Sequence, residues 1–113
     1  MTPSWQPAGD RELRVGLAGL GSMGRNHLRI LAGRDDIRVA AVADPVHAAL
    51  AGATAHSGAQ GFAEPLAMIA EAELDAVVIA APTTAHVPLA LAAIERGVAV
   101  LVEKPLEIGR AHV

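Results

Sequence analysis

The residues Gly19-Leu20-Gly21-Ser22-Met23-Gly24 have the spacing G-x-G-x-x-G, a pattern that turns a strand into a helix around a bound diphosphate. The first glycine permits the tight turn, the second leaves room for a pyrophosphate against the backbone, and the third lets the helix pack closely on the strand. Main-chain N–H groups of Gly21, Ser22 and Met23 would then meet the phosphates. There the helix dipole adds a field worth ~1 kcal/mol per charge. Taken alone, the same glycines could serve only as a turn. Asp44 adds a second feature. It lies twenty residues after Gly24, at the expected end of the second strand, where an acid accepts hydrogen bonds from ribose hydroxyls. A carboxylate there repels a ribose phosphate, which favours NAD over NADP. The plainer reading of Asp44-Pro45 is a turn or a helix cap.

Two further groups stand at strand ends. Glu103-Lys104-Pro105 follows the expected fifth strand, and Lys104 is the only lysine in the chain, the other eight basic residues being arginine. An amine can donate to a substrate hydroxyl and have its pKa lowered by burial, whereas arginine cannot readily change protonation or present a compact point charge; the competing reading is a solvated Glu103-Lys104 pair. Pro82-Thr83-Thr84-Ala85-His86 follows the fourth strand. Thr83 can hydrogen-bond a ligand or cap a helix, and His86 can approach a cofactor or simply pack. His27 reads as structural. His47, His56 and His112 have no metal-site spacing, the chain has no cysteine, and no Ser-His-Asp arrangement can be argued.

These groups need a scaffold, and the chain alternates short β-branched runs with longer helical stretches, the pattern of a parallel sheet with crossover helices. Leu13 to Ala18 reads as the first strand. A helix follows, with Met23, His27, Ile30 and Leu31 on its apolar side. Ile37 to Ala43 is the second strand. A short helix is expected from Val46 to about Ala51, followed by a loop through His56 to Gly58. A brief strand near Gly61 and Phe62 precedes a helix from Glu64 to Ala72 with Leu66, Ile69 and Ala70 as its stripe. Asp75 to Ala81 is apolar almost throughout, as in a strand covered on both faces. Thr83 or Thr84 can cap the next helix, Ala85 to Arg96, whose expected buried side is Val87, Leu91 and Ile94 and which Gly97 ends. Val98 to Val102 is the fifth strand.

Composition bounds the remaining possibilities. At 113 residues, with 52% apolar residues and 19% charged and a mean hydropathy of +0.37, the chain can bury a core and has the length of one domain. With 25 alanines and two aromatic residues, Trp5 and Phe62, the core must be Val, Leu and Ile packed closely on small side chains. A net charge of −3 with mixed signs gives no attraction to nucleic acid. Residues 1–10 lack the form of a signal peptide and no apolar run reaches the length of a membrane span, so a cytoplasmic location is expected. The expected organisation is a disordered tail over residues 1–10 and a dinucleotide-binding domain over 11–113.

The segments VGLAGLGSMGRNHLRIL, VAAVADP, DAVVIAAPTTAHVPLALAAIERG and VLVEKPL together resemble the N-terminal half of the Gfo/Idh/MocA family of oxidoreductases, in the family's order and spacing, over residues 13 to about 107. The resemblance implies an α/β fold of Rossmann type, a doubly wound parallel sheet. It implies a nicotinamide cofactor held by Gly19 to Gly24 and Asp44, with Ala81, Pro82, Thr83 and His86 lining the nicotinamide side. Glu103 and Lys104 match the family's E-K-P motif, whose lysine lies at substrate and nicotinamide, so Lys104 is the implied catalytic residue. The implied reaction is hydride transfer between the nicotinamide and a carbinol carbon of a sugar, inositol or related polyol.

Where the family often has Lys-His before its fifth strand, this chain has Val98-Ala99. Family members also carry a second α/β domain that supplies most of the substrate pocket and an assembly surface, and their sixth sheet strand would lie beyond Val113. The expectation is therefore a sheet truncated after the fifth strand, without a substrate domain, that binds NAD weakly and turns over nothing alone. A non-catalytic NAD-binding module, or one half of a split enzyme completed by a partner chain, is the competing expectation; an oligomer is compatible with either.

Overall fold

The computed structural model describes residues 12–81 and 83–102. The expected tail over residues 1–10, and the site residues Pro82, Glu103 and Lys104, lie outside the described residues. The chain runs β1 (Leu13–Ala18), α1 (Ser22–Ala32), β2 (Ile37–Ala43), α2 (His47–Ser57), β3 (Gln60–Phe62), α3 (Pro65–Glu71), β4 (Ala76–Ile79), a 3-10 turn (Thr83–Ala85), α4 (His86–Glu95) and β5 (Ala99–Val102). The five strands form one parallel sheet in the order β3-β2-β1-β4-β5. The order reverses at β1, so the C-terminal ends of β1 and β4 flank the crevice where open α/β sheets take ligands.

Alternation along the strands divides the core between the two faces of the sheet. Val15, Leu17, Val39, Val42 and Val78 meet Leu28 of α1 and Ala53 of α2 on one side. Ala18, Ala41, Ala43, Val77 and Ile79 meet Met68 and Ile69 of α3 and Leu89 and Ala93 of α4 on the other. Small residues set the spacing of that second layer: Ala18, Ala41 and Ala43 are fully buried, and a Cβ on Gly16 would come within 2.6 Å of Leu74. Between β1 and β2 the pairing passes from Val15–Val39 to Gly16–Ala41, skipping Ala40 as a bulge. Pro65 takes the first helical position of α3, where its missing N–H costs nothing. Gly97, at φ 76°, follows α4.

Several expectations are corrected. Helix α2 continues to Ser57 rather than stopping near Ala51, and Gly58 ends it at φ 76°; its alanines favour helix without marking a face. On α4 the buried residues are Leu89 and Ala93, whereas Val87, Leu91 and Ile94 are 55–66% exposed. Nearly every position of this helix is apolar, so more than one stripe fits the 3.6-residue period and periodicity alone selects the wrong one. On α1 the sheet is met by Gly24 and Leu28 while Met23 and Ile30 are exposed. On α3 it is met by Met68 and Ile69, with Leu66 and Ala70 exposed. The residue at the cap position of α4 is Ala85, which closes the 3-10 turn and offers no side-chain cap, rather than Thr83 or Thr84. Val98 is buried immediately before β5 rather than within it.

Candidate functional site

The glycine turn stands at the C-terminal end of β1. Gly19 adopts φ 105°, a conformation that side-chain-bearing residues rarely reach. Its N–H donates to the Ala43 carbonyl at the end of β2, at 2.9 Å. Leu20 drops its side chain into the core, 1% exposed, and its N–H donates to Asp44 Oδ2 at 2.7 Å. The turn is thus fastened to the tip of β2 through two consecutive peptides.

The other two glycines of the motif differ in what they permit. At Gly24 a Cβ would collide with the Gly19 carbonyl and lie 2.7 Å from the Gly19 carbonyl carbon, so α1 approaches β1 only because this position is bare. At Gly21 a Cβ would meet nothing within 4 Å, and the backbone, φ −71° and ψ −167°, is open to any residue. The fold therefore makes no steric or conformational demand for glycine there. Gly21 is also the N-cap of α1, offers no side-chain cap, and is followed by no acid in the first turn. The first-turn N–H groups of Ser22 and Met23 therefore begin an uncapped helix, a ready anion receptor.

Asp44, half-buried, completes this side. Besides the Leu20 bond, its Oδ1 accepts the Val46 N–H at 2.8 Å, the Asx turn that the Asp-Pro pair suggests, and its own N–H donates to the Phe62 carbonyl. Each carboxylate oxygen keeps acceptor capacity after one bond, so the turn role and a ribose role are compatible. The sequence indicated the acid but not the link to Leu20, a contact 24 residues apart in the chain.

Across the crevice, the Ala80–Ala81 peptide abuts the turn: a Cβ on Gly19 would lie 2.7–2.8 Å from Ala80 C, Ala80 O and Ala81 N. His86, at the start of α4, directs Nε2 to the Ala81 carbonyl at 2.8 Å. Ala81, the 3-10 turn beginning at Thr83, and His86 therefore cluster at the β4 end, opposite Asp44. At the far, N-terminal ends of the strands a groove of about 580 Å³ brings Arg14, Arg34 and Arg38 near Glu12 and Asp35; no element of the glycine motif reaches it. Among the described residues no group of His, Asp or Glu is arranged to hold a metal ion, and no helix is long and apolar enough to cross a membrane.

A parallel sheet reversing at β1, a glycine turn into an uncapped helix and an acid at the tip of β2 define a dinucleotide-binding Rossmann domain. Residues 13–112 match the oxidoreductase family, NAD-binding Rossmann fold, of the Gfo/Idh/MocA type; the chain belongs to that family. Inositol 2-dehydrogenase 4 of Saccharopolyspora erythraea is 48% identical over 99 residues, covering 86% of this chain and 29% of that protein. Scyllo-inositol dehydrogenase from Lactobacillus casei with bound NAD(H) and scyllo-inositol superimposes with a TM-score of 0.80 at 28% identity, over 85% of this chain and 29% of that one. The WlbA dehydrogenase from Bordetella pertussis in complex with NADH and UDP-GlcNAcA gives 0.80 at 33% identity, over 88% and 29%. The chain therefore spans under a third of the length of these relatives.

Proposed function

We propose that this chain supplies the nucleotide-binding part of an NAD-dependent dehydrogenase acting on inositol or a related polyol. The observation that carries the proposal is Gly21, a glycine that the fold does not need, opening space in front of an uncapped helix. In this reading the diphosphate lies against Gly19, Gly21 and Gly24 and accepts hydrogen bonds from the Ser22 and Met23 N–H groups. Asp44 accepts from the adenosine ribose hydroxyls, and its negative charge disfavours a ribose phosphate, so NAD is taken over NADP. Ala81, Pro82, Thr83 and His86 form the nicotinamide side. Glu103 and Lys104 contribute from the segment after β5, where Lys104 donates to the substrate oxygen and stabilises the charge that develops on it. NAD, when bound, supplies the hydride acceptor.

The substrate class is supported by the inositol dehydrogenases among the relatives. Calorimetric titration of NAD into the chain and into Gly21→Val tests the site: the unaltered chain is expected to bind, and the variant to stay folded and lose binding. Equal affinity would defeat the assignment. Because the chain spans so little of its relatives' length, it is expected to form no NADH from myo-inositol or scyllo-inositol by itself. Steady turnover by the purified chain would defeat that part of the reading.

A further inference from the structure

His86 opens α4 and folds its imidazole back over the loop that leaves β4, with Nε2 lying 2.8 Å from the Ala81 carbonyl oxygen. A carbonyl oxygen only accepts, so Nε2 carries the proton and donates, whatever the state of Nδ1. The chain just before it is held from the other side: the Ala80 N–H donates to the Ala18 carbonyl at 2.8 Å, and the next peptide, Ala80–Ala81, passes so near Gly19 that a Cβ there would lie 2.7–2.8 Å from it. The stretch from the Ala80 N–H to the Ala81 carbonyl is therefore held at one end by β1 and at the other by His86. One side chain ties the start of α4 to the wall of the crevice that faces the glycine turn.

We infer that His86 is a positioning residue, whose Nε2–H holds the Ala81 carbonyl and thereby sets the wall on which the nicotinamide half of the dinucleotide rests. The inference rests on the NAD-binding reading above. It gives His86 a different task from direct contact, because an imidazole that used Nε2 on the cofactor would first have to release Ala81. It also separates the two halves of the crevice: Asp44 and the uncapped helix serve the adenosine diphosphate, while the His86–Ala81 bond serves the remainder.

The test is calorimetric titration of the full 113-residue chain with NAD and, separately, with ADP, which lacks the nicotinamide riboside. His86→Ala is expected to weaken NAD about tenfold, the effect of losing one hydrogen bond of this kind, and to leave ADP within about twofold. His86→Gln, whose amide donates from a similar position, is expected to recover most of the NAD affinity. Imidazole 15N spectra of the unaltered chain are expected to show Nε2 protonated both with and without NAD. Unchanged NAD affinity in His86→Ala, an equal loss for ADP, no recovery in His86→Gln, or transfer of the Nε2 proton on NAD binding would each overturn the positioning role while leaving the NAD-binding reading intact. If the unaltered chain bound neither ADP nor NAD, that reading would fall and the inference with it.

Discussion

The Asp44 carboxylate holds the main chain of Leu20: its Oδ2 accepts the Leu20 N–H at 2.7 Å. The proposed ribose acceptor is thus also a strut of the proposed diphosphate turn. Asp44→Ala removes both functions, and an NAD dissociation constant raised about ten- to a hundredfold is expected, from hydrogen bonds to a charged group worth about 1.5–3 kcal/mol. Asp44→Asn keeps one oxygen acceptor and is expected to fall between the two. Titration calorimetry of the three proteins checks the ranking, and an Asp44→Ala variant that binds as tightly as its parent refutes it.

Gly21 and Gly24 should respond in opposite ways to the same methyl group. Gly24→Ala drives a Cβ into the Gly19 carbonyl, an overpacking expected to cost at least about 2 kcal/mol of stability. Gly21→Ala meets open space and should leave stability within about 0.5 kcal/mol while weakening NAD about tenfold or more by occupying the proposed diphosphate site. Urea denaturation paired with NAD titration separates the two; a Gly21→Ala variant that lost stability instead of affinity would contradict the assignment.

Helix α4 offers a test of which stripe is buried. Leu89 is 3% exposed and Leu91 55%, so Leu89→Ala should cost about 2–5 kcal/mol and Leu91→Gln no more than about 0.5 kcal/mol. Denaturation midpoints would show it directly, and comparable losses at both positions would argue against this placement of the helix.

The Arg34 guanidinium, hydrogen-bonded to Asp36 at 2.9 and 3.0 Å, holds that carboxyl below its ordinary value. A depressed folded-state pKa contributes stability above the unfolded-state pKa, and that contribution is lost as pH falls through the folded-state value. The pair lies on the solvent-exposed surface, so the effect is small and salt-screened. Arg34→Ala is expected to move the Asp36 titration midpoint upward in carboxyl NMR, and no movement would mean that the pair does not persist in solution.

Much of the scaffold was legible because its signals are local. The bounds of β1 and β2 follow from apolar runs stopped by glycine or Asp-Pro, and Gly19, Gly24 and Pro65 occupy positions that their own stereochemistry explains. What escaped depends on contacts distant in the chain or on contrast that the sequence lacks. Alanine-rich α2 has one buried residue, Ala53, and so no periodicity from which to read its length. Almost uniformly apolar α4 admits more than one stripe. The Asp44–Leu20 bond joins two motifs already recognised separately, and the His86–Ala81 bond gives a histidine a main-chain partner that no spacing rule specifies.

The glycine turn is braced by Ala43, Asp44 and the Ala80–Ala81 peptide, all within the chain itself. Its ordering entropy is therefore met during folding and not at the moment of encounter. A dinucleotide arriving at the proposed cradle would find a shape already waiting, so capture should be limited by diffusion and desolvation more than by loop closure.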